Sequence, residues 1–183
     1  MNKITIDYKR SNEVGYDFID EILKIDAAVY EKHLQGTKNS LTARFNANRE
    51  SYILAFDGEK IIGYICFFPI SGELSRKMQE ENKALDDDIE VSDILPEYPK
   101  DIDADVFVIS IAISPDYQHK DIGKQLIKDL FRFLFNKNHA GCKIRNILLG
   151  RVTSIGTLRF RKFKIDDYKM SKENNHENKE HEA

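Results

Sequence analysis

The alternation of apolar and polar positions divides the chain into short strands and helices. Apolar side chains recur at helical spacing in two early segments, and two apolar runs flank Asp57-Gly58, which is a strong hairpin signal. The pattern predicts these elements for the first 70 residues: a strand at Lys3–Tyr8, helices at Tyr16–Tyr30 and Ser40–Arg49, and paired strands at Ser51–Phe56 and Lys60–Ile70.

The most informative segment runs from Asp105 to Phe135. It begins with a β-branched apolar run typical of a strand covered on both faces, and Pro115 ends that strand. A polar loop follows, and then an amphipathic helix with apolar residues from Ile122 to Leu134. Because unpaired N–H groups and the positive dipole end of a helix point into such a loop, the segment predicts an anion site.

The C-terminal third predicts a strand at Lys143–Leu149, a last helix at Thr153–Phe163 and a final strand at Lys164–Lys169. Residues 171–183 contain no large apolar side chain, which predicts a disordered polar tail. The succession of elements indicates an α+β fold in a single domain over residues 1–170.

Composition fits one globular domain of 183 residues, with 41% hydrophobic and 32% charged residues. No apolar run approaches the roughly 20 residues needed to cross a bilayer, and the N-terminus lacks the apolar core of a signal peptide. We therefore expect a cytoplasmic protein with no membrane partner. Cys66 and Cys142 have no metal-binding spacing, so we expect neither a metal site nor a disulfide.

Charge is distributed unevenly. Residues 71–105 carry twelve acids and four bases, a net −8 within a chain of net −3, so the remainder carries +5. An acidic insert at residues 71–104 beside a basic body suits an anionic cofactor and a cationic substrate, and it equally suits a solvated loop. In the insert, Leu74, Met78 and Leu85 indicate one weakly amphipathic helix.

The loop resembles a known motif. Gln118-His119-Lys120-Asp121-Ile122-Gly123, preceded by Ser114-Pro115-Asp116-Tyr117, is similar to the pyrophosphate-binding motif of GNAT N-acetyltransferases, Gln/Arg-x-x-Gly-x-Gly/Ala. Gln118 and Gly123 match, whereas Asp121 stands where the first motif glycine is usual. The order of elements from about residue 3 to about residue 168 also resembles that family. The resemblance implies a single GNAT-like domain with a mixed, mostly antiparallel central sheet, splayed in the middle and flanked by helices.

The resemblance also implies acetyl-CoA as the acyl donor. Main-chain groups at the end of the central strand would bind the pantetheine amides, and N–H groups of the loop would bind the pyrophosphate. The residues that this places around acetyl-CoA are Ile111, Ala112, Ile113, Gln118, His119, Lys120, Asp121, Ile122, Gly123 and Lys124. Lys120 and Lys124 could contact the phosphates or could be solvated charges beside the helix. Asp121 could belong to the phosphate loop or could cap the following helix.

The implied reaction is direct attack of an amine on the thioester, which needs a base and a donor for the oxyanion. Asp105 is a candidate base, although an acid there also suits a strand boundary, and the N–H of Ile111 or Ile113 is the natural oxyanion donor. The family often carries a tyrosine acid in the last helix, and that tyrosine aligns here with Phe160. A phenyl ring cannot donate a proton, which leaves Tyr168, Tyr117 or water.

The sequence fits three functions unequally. The favoured one is a cytoplasmic N-acetyltransferase acting on a small-molecule or protein amine. The second is a CoA-binding module with little catalysis, acting as a sensor or interaction protein. The third, a nucleic-acid binder, is disfavoured because Phe160 and Phe163 interrupt the basic cluster at residues 159–164. The sequence does not identify the acceptor amine. It is compatible with a monomer or a homodimer. Five side chains are either acceptor-pocket candidates or core: Tyr30, His33, Phe45, Phe67 and Phe68.

Overall fold

A computed structural model describes residues 6–81, 90–152 and 158–165 of the chain. The strands are β1 (Ile6–Arg10), β2 (Tyr52–Asp57), β3 (Lys60–Ser71), β4 (Ala104–Ile113), β5 (Ile144–Val152) and β6 (Leu158–Lys164). The α-helices are α1 (Phe18–Val29), α2 (Lys38–Ala47), α3 (Gly72–Glu81) and α4 (Ile122–His139). The order of elements predicted up to β5 is confirmed within these residues, with boundaries shifted by a few positions.

The six strands form one open sheet in chain order, from β1 at one edge to β6 at the other. All neighbours are antiparallel except β4 and β5, which run parallel with α4 as the crossover between them. The predicted hairpin turn joins β2 to β3, and Gly58 in it has φ +61°, a conformation that glycine adopts without strain. The predicted α+β fold with a mixed, mostly antiparallel central sheet is confirmed.

Helices cover both faces of the sheet. Helix α4 packs one face through Leu126, Leu130 and Phe133, against inward residues of β2 to β5. Helices α1 and α2 pack the other face, where Phe18 and Phe45 meet edge to face at 5.0 Å between ring centroids. The central strands β3 and β4 are consequently buried on both faces, as their continuous apolar runs predict.

The predicted helix at Thr153–Phe163 is wrong. Residues 158–164 form strand β6, which pairs antiparallel with β5 from Asn146↔Lys164 to Val152↔Leu158. Only residues 153–157 connect the two strands, too few for an eleven-residue helix. The strand predicted at Lys164–Lys169 is also misplaced, because Lys164 is the last residue of β6. Residues 166–183, and with them the predicted tail, lie outside the described part of the chain.

The first part of the acidic insert packs against the sheet. The predicted amphipathic helix is present as α3, in which Met78 and Ser75 are fully buried against the sheet. After residue 90 the chain returns through a short 3-10 turn, and Ile94 and Tyr98 are buried too. The start and end of the insert are therefore part of the core. Asp86, Asp87 and Asp88 lie outside the described residues.

Candidate functional site

Strand β4 separates from β5 halfway along its length. The two strands pair from Ala104↔Ile144 to Val108↔Leu149, and β4 then continues to Ile113 without β5. An extra residue in β4, Ile109, shifts the register against β3 at this point, which is a bulge that bends the strand. Ile109 to Ile111 are partly exposed although they lie in the middle of a six-stranded sheet. The sheet is thus splayed, as predicted, and a V-shaped opening lies between β4 and β5.

The main chain of β4 presents alternate residues to this opening. The Ser114 amide donates to the Ile62 carbonyl at 2.8 Å, so Ser114 and, two residues earlier, Ala112 direct their main-chain groups at β3. Ile111 and Ile113 therefore face the other way. Their carbonyls accept from the Tyr30 hydroxyl at 2.8 Å and from Gln118 Nε2 at 3.2 Å. Of the three residues predicted to bind pantetheine through the main chain, Ala112 is wrongly placed for it, because its groups serve the ladder with β3.

The predicted anion loop lies at the open end of the V. After a 3-10 turn at Pro115–Tyr117, His119 and Asp121 adopt positive φ values of 62° and 58°. Hydrogen bonding within α4 begins with the Gln125 amide on the Asp121 carbonyl at 3.0 Å. The amides of Ile122, Gly123 and Lys124 come before that bond, in the first turn, where helical N–H groups lack an intrahelical acceptor. Their N–H groups and the helix dipole converge on the loop, which is the geometry of an anion site.

Gly123 lines the gap between the start of α4 and the end of β4. A Cβ built on Gly123 would have Ile113 Cγ1 as its nearest neighbour, at 4.0 Å. That is ordinary contact distance, so the protein itself leaves room for a side chain there. Ile113 ends the part of β4 that β5 leaves uncovered, so a ligand bound to the loop amides could extend past Gly123 along that edge.

Two loop side chains bond to neighbouring parts of the surface and not to the opening. Lys120 Nζ donates to the Asp116 carbonyl at 3.0 Å and lies 4.7 Å from the centre of the Tyr117 ring. The Tyr117 hydroxyl donates to Asp57 Oδ2 at 2.7 Å, and this bond raises the pKa of Tyr117. Tyr117 therefore ties the loop to the β2–β3 turn and is not in position to serve as an acid in the opening. Lys124 and His119 are exposed at the loop surface.

Asp121 does not cap α4. It occupies the residue before the helix, but its side chain makes no cap hydrogen bond and its backbone is left-handed. The alternative that Asp121 is a structural cap is therefore wrong. Its carboxylate is exposed beside the loop amides, where it adds a negative charge next to a predicted phosphate site.

We predict that Asp121→Gly binds acetyl-CoA more tightly, most clearly at low salt, without loss of stability. The change removes a like charge near the phosphates and gives glycine to a left-handed position, which it adopts at no steric cost. Calorimetric titration at two salt concentrations and a melting curve measure both effects. Weaker binding together with a lower melting temperature would contradict this.

Asp105 lies at the wrong end of β4 for a catalytic base. It is 2% exposed and about 20 Å from Ile111 by the rise of a strand. Asn146 Nδ2 donates to its Oδ1 at 2.6 Å, and the Ser75 hydroxyl donates to its Oδ2. Both carboxylate oxygens are thus occupied, between α3, β4 and β5. The prediction that Asp105 acts as the base does not fit this position, since the carboxylate joins the three elements where β4 and β5 are still paired.

The predicted proton-donor position is also displaced. Phe160, which aligns with the family's tyrosine in a last helix, lies instead in strand β6 opposite Gly150. The alignment to a helix is therefore wrong. Tyr168 lies outside the described residues and stays a prediction.

Sequence reasoning missed a polar group beside the opening. Asp26 is 3% exposed on the buried face of α1, and it accepts from the hydroxyl of the equally buried Tyr64 on β3. Burial raises the pKa of Asp26. One signal was available: Asp26 follows Ile22 by four residues, so a carboxylate stands within an apolar helical stripe. Of the acceptor-pocket candidates, Phe45, Phe67 and Phe68 are core residues.

The described residues were compared with two further kinds of feature, a metal site and a membrane span. Within residues 6–81, 90–152 and 158–165, no three His, Cys, Asp or Glu side chains are grouped as metal ligands. In the same part of the chain, no helix has the length and apolarity needed to cross a membrane.

Comparisons with known proteins agree with this geometry. The family model described as the acetyltransferase (GNAT) family matches residues 17–156. A search of curated protein sequences found no match. Three solved structures are similar in fold. The first is the loading GNATL domain of CurA from Lyngbya majuscula, with a TM-score of 0.63 and 11% identity over 81% of this chain and 65% of that one. The second is the GphF GNAT-like decarboxylase in complex with isobutyryl-CoA, with a TM-score of 0.58 and 13% identity over 82% of this chain and 67% of that one. The third is the ribosomal-protein-S18-alanine N-acetyltransferase from Escherichia coli, with a TM-score of 0.53 and 10% identity over 82% of this chain and 69% of that one.

At such low identities the three structures establish the fold alone, and this chain spans just under two thirds of the CurA domain. The family model carries more weight, because it covers well over half of the chain, from α1 past the loop to β5. Family membership supports acyl-CoA-dependent acetyl transfer in general. The splayed sheet, the loop at the start of α4 and the family match together place this chain in the GNAT acetyltransferase family.

Proposed function

We propose that the protein is an acetyl-CoA-dependent N-acetyltransferase that transfers an acetyl group to a primary amine of a small molecule or protein. The observation that carries the proposal is that the first amides of α4 and Gly123 lie next to Ile113, at the end of the β4 edge that β5 leaves uncovered. The GphF structure, whose fold is similar, is in complex with isobutyryl-CoA.

The loop and β4 have main-chain groups that could bind the pyrophosphate and the pantetheine arm of acetyl-CoA. The N–H groups of Ile122, Gly123 and Lys124 would bind the pyrophosphate, with Lys124 adding positive charge from the loop surface. The main-chain groups of Ile111 and Ile113 would pair with the pantetheine amides as a further strand would. This arrangement would hold the thioester carbonyl beside β4, where a main-chain N–H of the opening stabilises the developing oxyanion.

Direct attack by a bound amine needs little further help from the protein. Holding the two reactants in line can supply up to roughly 7–11 kcal/mol of the barrier in ideal systems. The acetyl group passes to nitrogen as the carbon–sulfur bond breaks. An amine that arrives as an ammonium ion loses one proton to solvent before it attacks, and the nitrogen loses a second proton as the amide forms. The chain therefore needs a proton acceptor near Ile111.

We propose further that the acceptor is cationic in solution. The segment 71–105 carries −8, and Leu74 of its helix α3 packs in the same apolar cluster as Ile109, where β4 leaves β5. Its field would raise the local concentration of amines that are protonated at neutral pH, with an effect that salt weakens. An insert whose acids only keep the surface hydrated would give no such preference.

Calorimetry with acetyl-CoA, followed by a thiol-release screen over amines, tests the proposal. We expect binding, and release of CoA thiol that depends on the amine, with kcat/KM highest for dications and falling as ionic strength rises. Binding without release over a broad panel would favour a CoA-binding module. Absence of binding would contradict both functions, and equal rates on neutral and cationic amines would contradict only the cationic acceptor.

A further inference from the structure

A line of polar side chains leads from the opening into the core on the α1 face of the sheet. Ser110 lies on β4 directly before Ile111 and is partly exposed. Tyr64, next to it on β3, and Asp26, on α1, are almost wholly buried, at 1% and 3% exposure. The three side chains connect the edge of the opening with the interior of the domain.

Hydrogen bonds along this line all point the same way. Ser110 pairs with Cys66, two residues from Tyr64, so Ser110 and Tyr64 lie on the same face of the sheet, and hydrogen bonding from Ser110 lowers the pKa of Tyr64, which is the effect of a donor. The Tyr64 hydroxyl in turn donates to Asp26 Oδ1, and the Gly36 amide donates to Asp26 Oδ2 at 3.4 Å. Asp26 is therefore the acceptor at the end of a chain of hydroxyl donors that starts beside Ile111.

The electrostatics suit this direction. Burial raises the pKa of Asp26 above that of an ordinary aspartate, opposed by the hydrogen bonds from Tyr64 and Gly36 and by the charge of Arg44 on α2. Burial, and then the Asp26 carboxylate, raise the pKa of Tyr64, and the neighbouring Tyr30 raises it further. Tyr64 consequently keeps its proton and donates it, and Asp26 has a raised basicity, which favours a general base.

We propose that Ser110, Tyr64 and Asp26 form a proton relay that deprotonates the acceptor amine. The inference rests on the proposed function. As nitrogen bonds to the acetyl carbon and the carbon–sulfur bond breaks, Ser110 Oγ takes the ammonium proton and passes its own to Tyr64. Tyr64 passes its own to Asp26, which becomes neutral. The departing thiolate takes a proton from solvent, and Asp26 returns its proton to water by the reverse path once the products leave.

The relay gives a role to two features of the structure. A carboxylate is buried on the apolar face of α1, where ionisation costs free energy. The β4 bulge at Ile109 also brings Ser110 to the α1 face at the point where β5 departs, so the relay begins at the opening.

The test compares Ser110→Ala, Tyr64→Phe and Asp26→Asn with wild type, using an amine found in the thiol-release screen. We expect kcat to fall about a hundredfold in Tyr64→Phe and Asp26→Asn, as for loss of a general base, with acetyl-CoA affinity unchanged. The matched control is Tyr52→Phe, which also removes a buried hydroxyl on the α1 face, donated there to the Leu41 carbonyl at 3.4 Å. It should leave kcat unchanged.

A pH profile separates the relay from a structural role. In wild type, kcat should rise as pH passes upward through the Asp26 pKa, because only the ionised carboxylate accepts a proton. Asp26→Asn should lose that rise while staying folded, and the variants should lose less activity on amines of low pKa, whose protons leave more readily.

The outcomes are distinct. If wild type releases thiol and the variants match it, or if they lose activity in proportion to melting temperature with the pH profile intact, the relay is wrong and the proposed function stands. If wild type releases none over the amine panel, the proposed function fails and the relay falls with it.

Discussion

Replacing Gly123 with valine should weaken acetyl-CoA binding more than tenfold, a loss of about 1.4 kcal/mol, while the protein stays folded. The reason is positional. The side chain would extend between α4 and β4, where the nearest atom outside the helix's own backbone and the adjoining residues is Ile113 Cγ1, 4.0 Å from the new Cβ. The space that it fills is the space that the ligand needs. Calorimetric titration with acetyl-CoA measures the loss.

Stability should not fall in this variant, because glycine is less favourable than valine in a helix. Gly15→Val is a matched control: Gly15 precedes α1, away from the loop, and a Cβ there meets no atom within 4 Å. It should leave the affinity unchanged. Unaltered binding in a folded Gly123→Val protein would place the cofactor elsewhere.

Asp105→Ala should lower the free energy of unfolding by roughly 3 kcal/mol, because it leaves two buried donors, the Ser75 hydroxyl and the Asn146 amide, without an acceptor. Asp105→Asn should cost less, because an amide can accept from Asn146 and donate to the Ser75 oxygen. Chemical denaturation of the two variants measures both losses. These changes distinguish a structural carboxylate from a catalytic one.

If Asp105 only joins α3, β4 and β5, Asp105→Asn should keep kcat near the wild-type value at a temperature where it is folded. Loss of a true general base would lower kcat by about 10²–10⁴-fold. A stable Asp105→Asn protein with such a loss would restore the catalytic assignment and contradict the structural one.

The segment from β4 to α4 was predictable because its signals agree. A continuous β-branched run, a proline stop, a polar loop and a helical apolar stripe each specify one element, and the loop motif adds the family. The anion site follows from the same order of elements, since the start of a helix after a strand presents free amides whatever side chains surround it.

The end of the chain was harder to predict, because its pattern fits two periods. Helical spacing predicts a helix at Thr153–Phe163, whereas Leu158–Lys164 alternates apolar and basic residues, as a strand does. Pairing with β5 decides between them, and that is a contact that local sequence does not contain.

The polar residues of the core were not predictable for a related reason. Asp105 looked reachable because it precedes the central strand, yet its partners Ser75 and Asn146 lie 30 and 41 positions away. Asp26 and Tyr64 are 38 positions apart. The spacing of apolar residues along one helix or strand can show that a carboxylate is buried. Its role depends on partner side chains from other strands and helices, which the order of the strands in the sheet brings close.

Hydrogen–deuterium exchange with and without acetyl-CoA tests the central claim most directly, because the claim names the amides that the ligand would cover. We predict slower exchange in peptides spanning residues 109–113 and 119–125, with little change in β1 and β2. Binding measured by calorimetry with protection elsewhere, or with no protection in those two segments, would contradict the account.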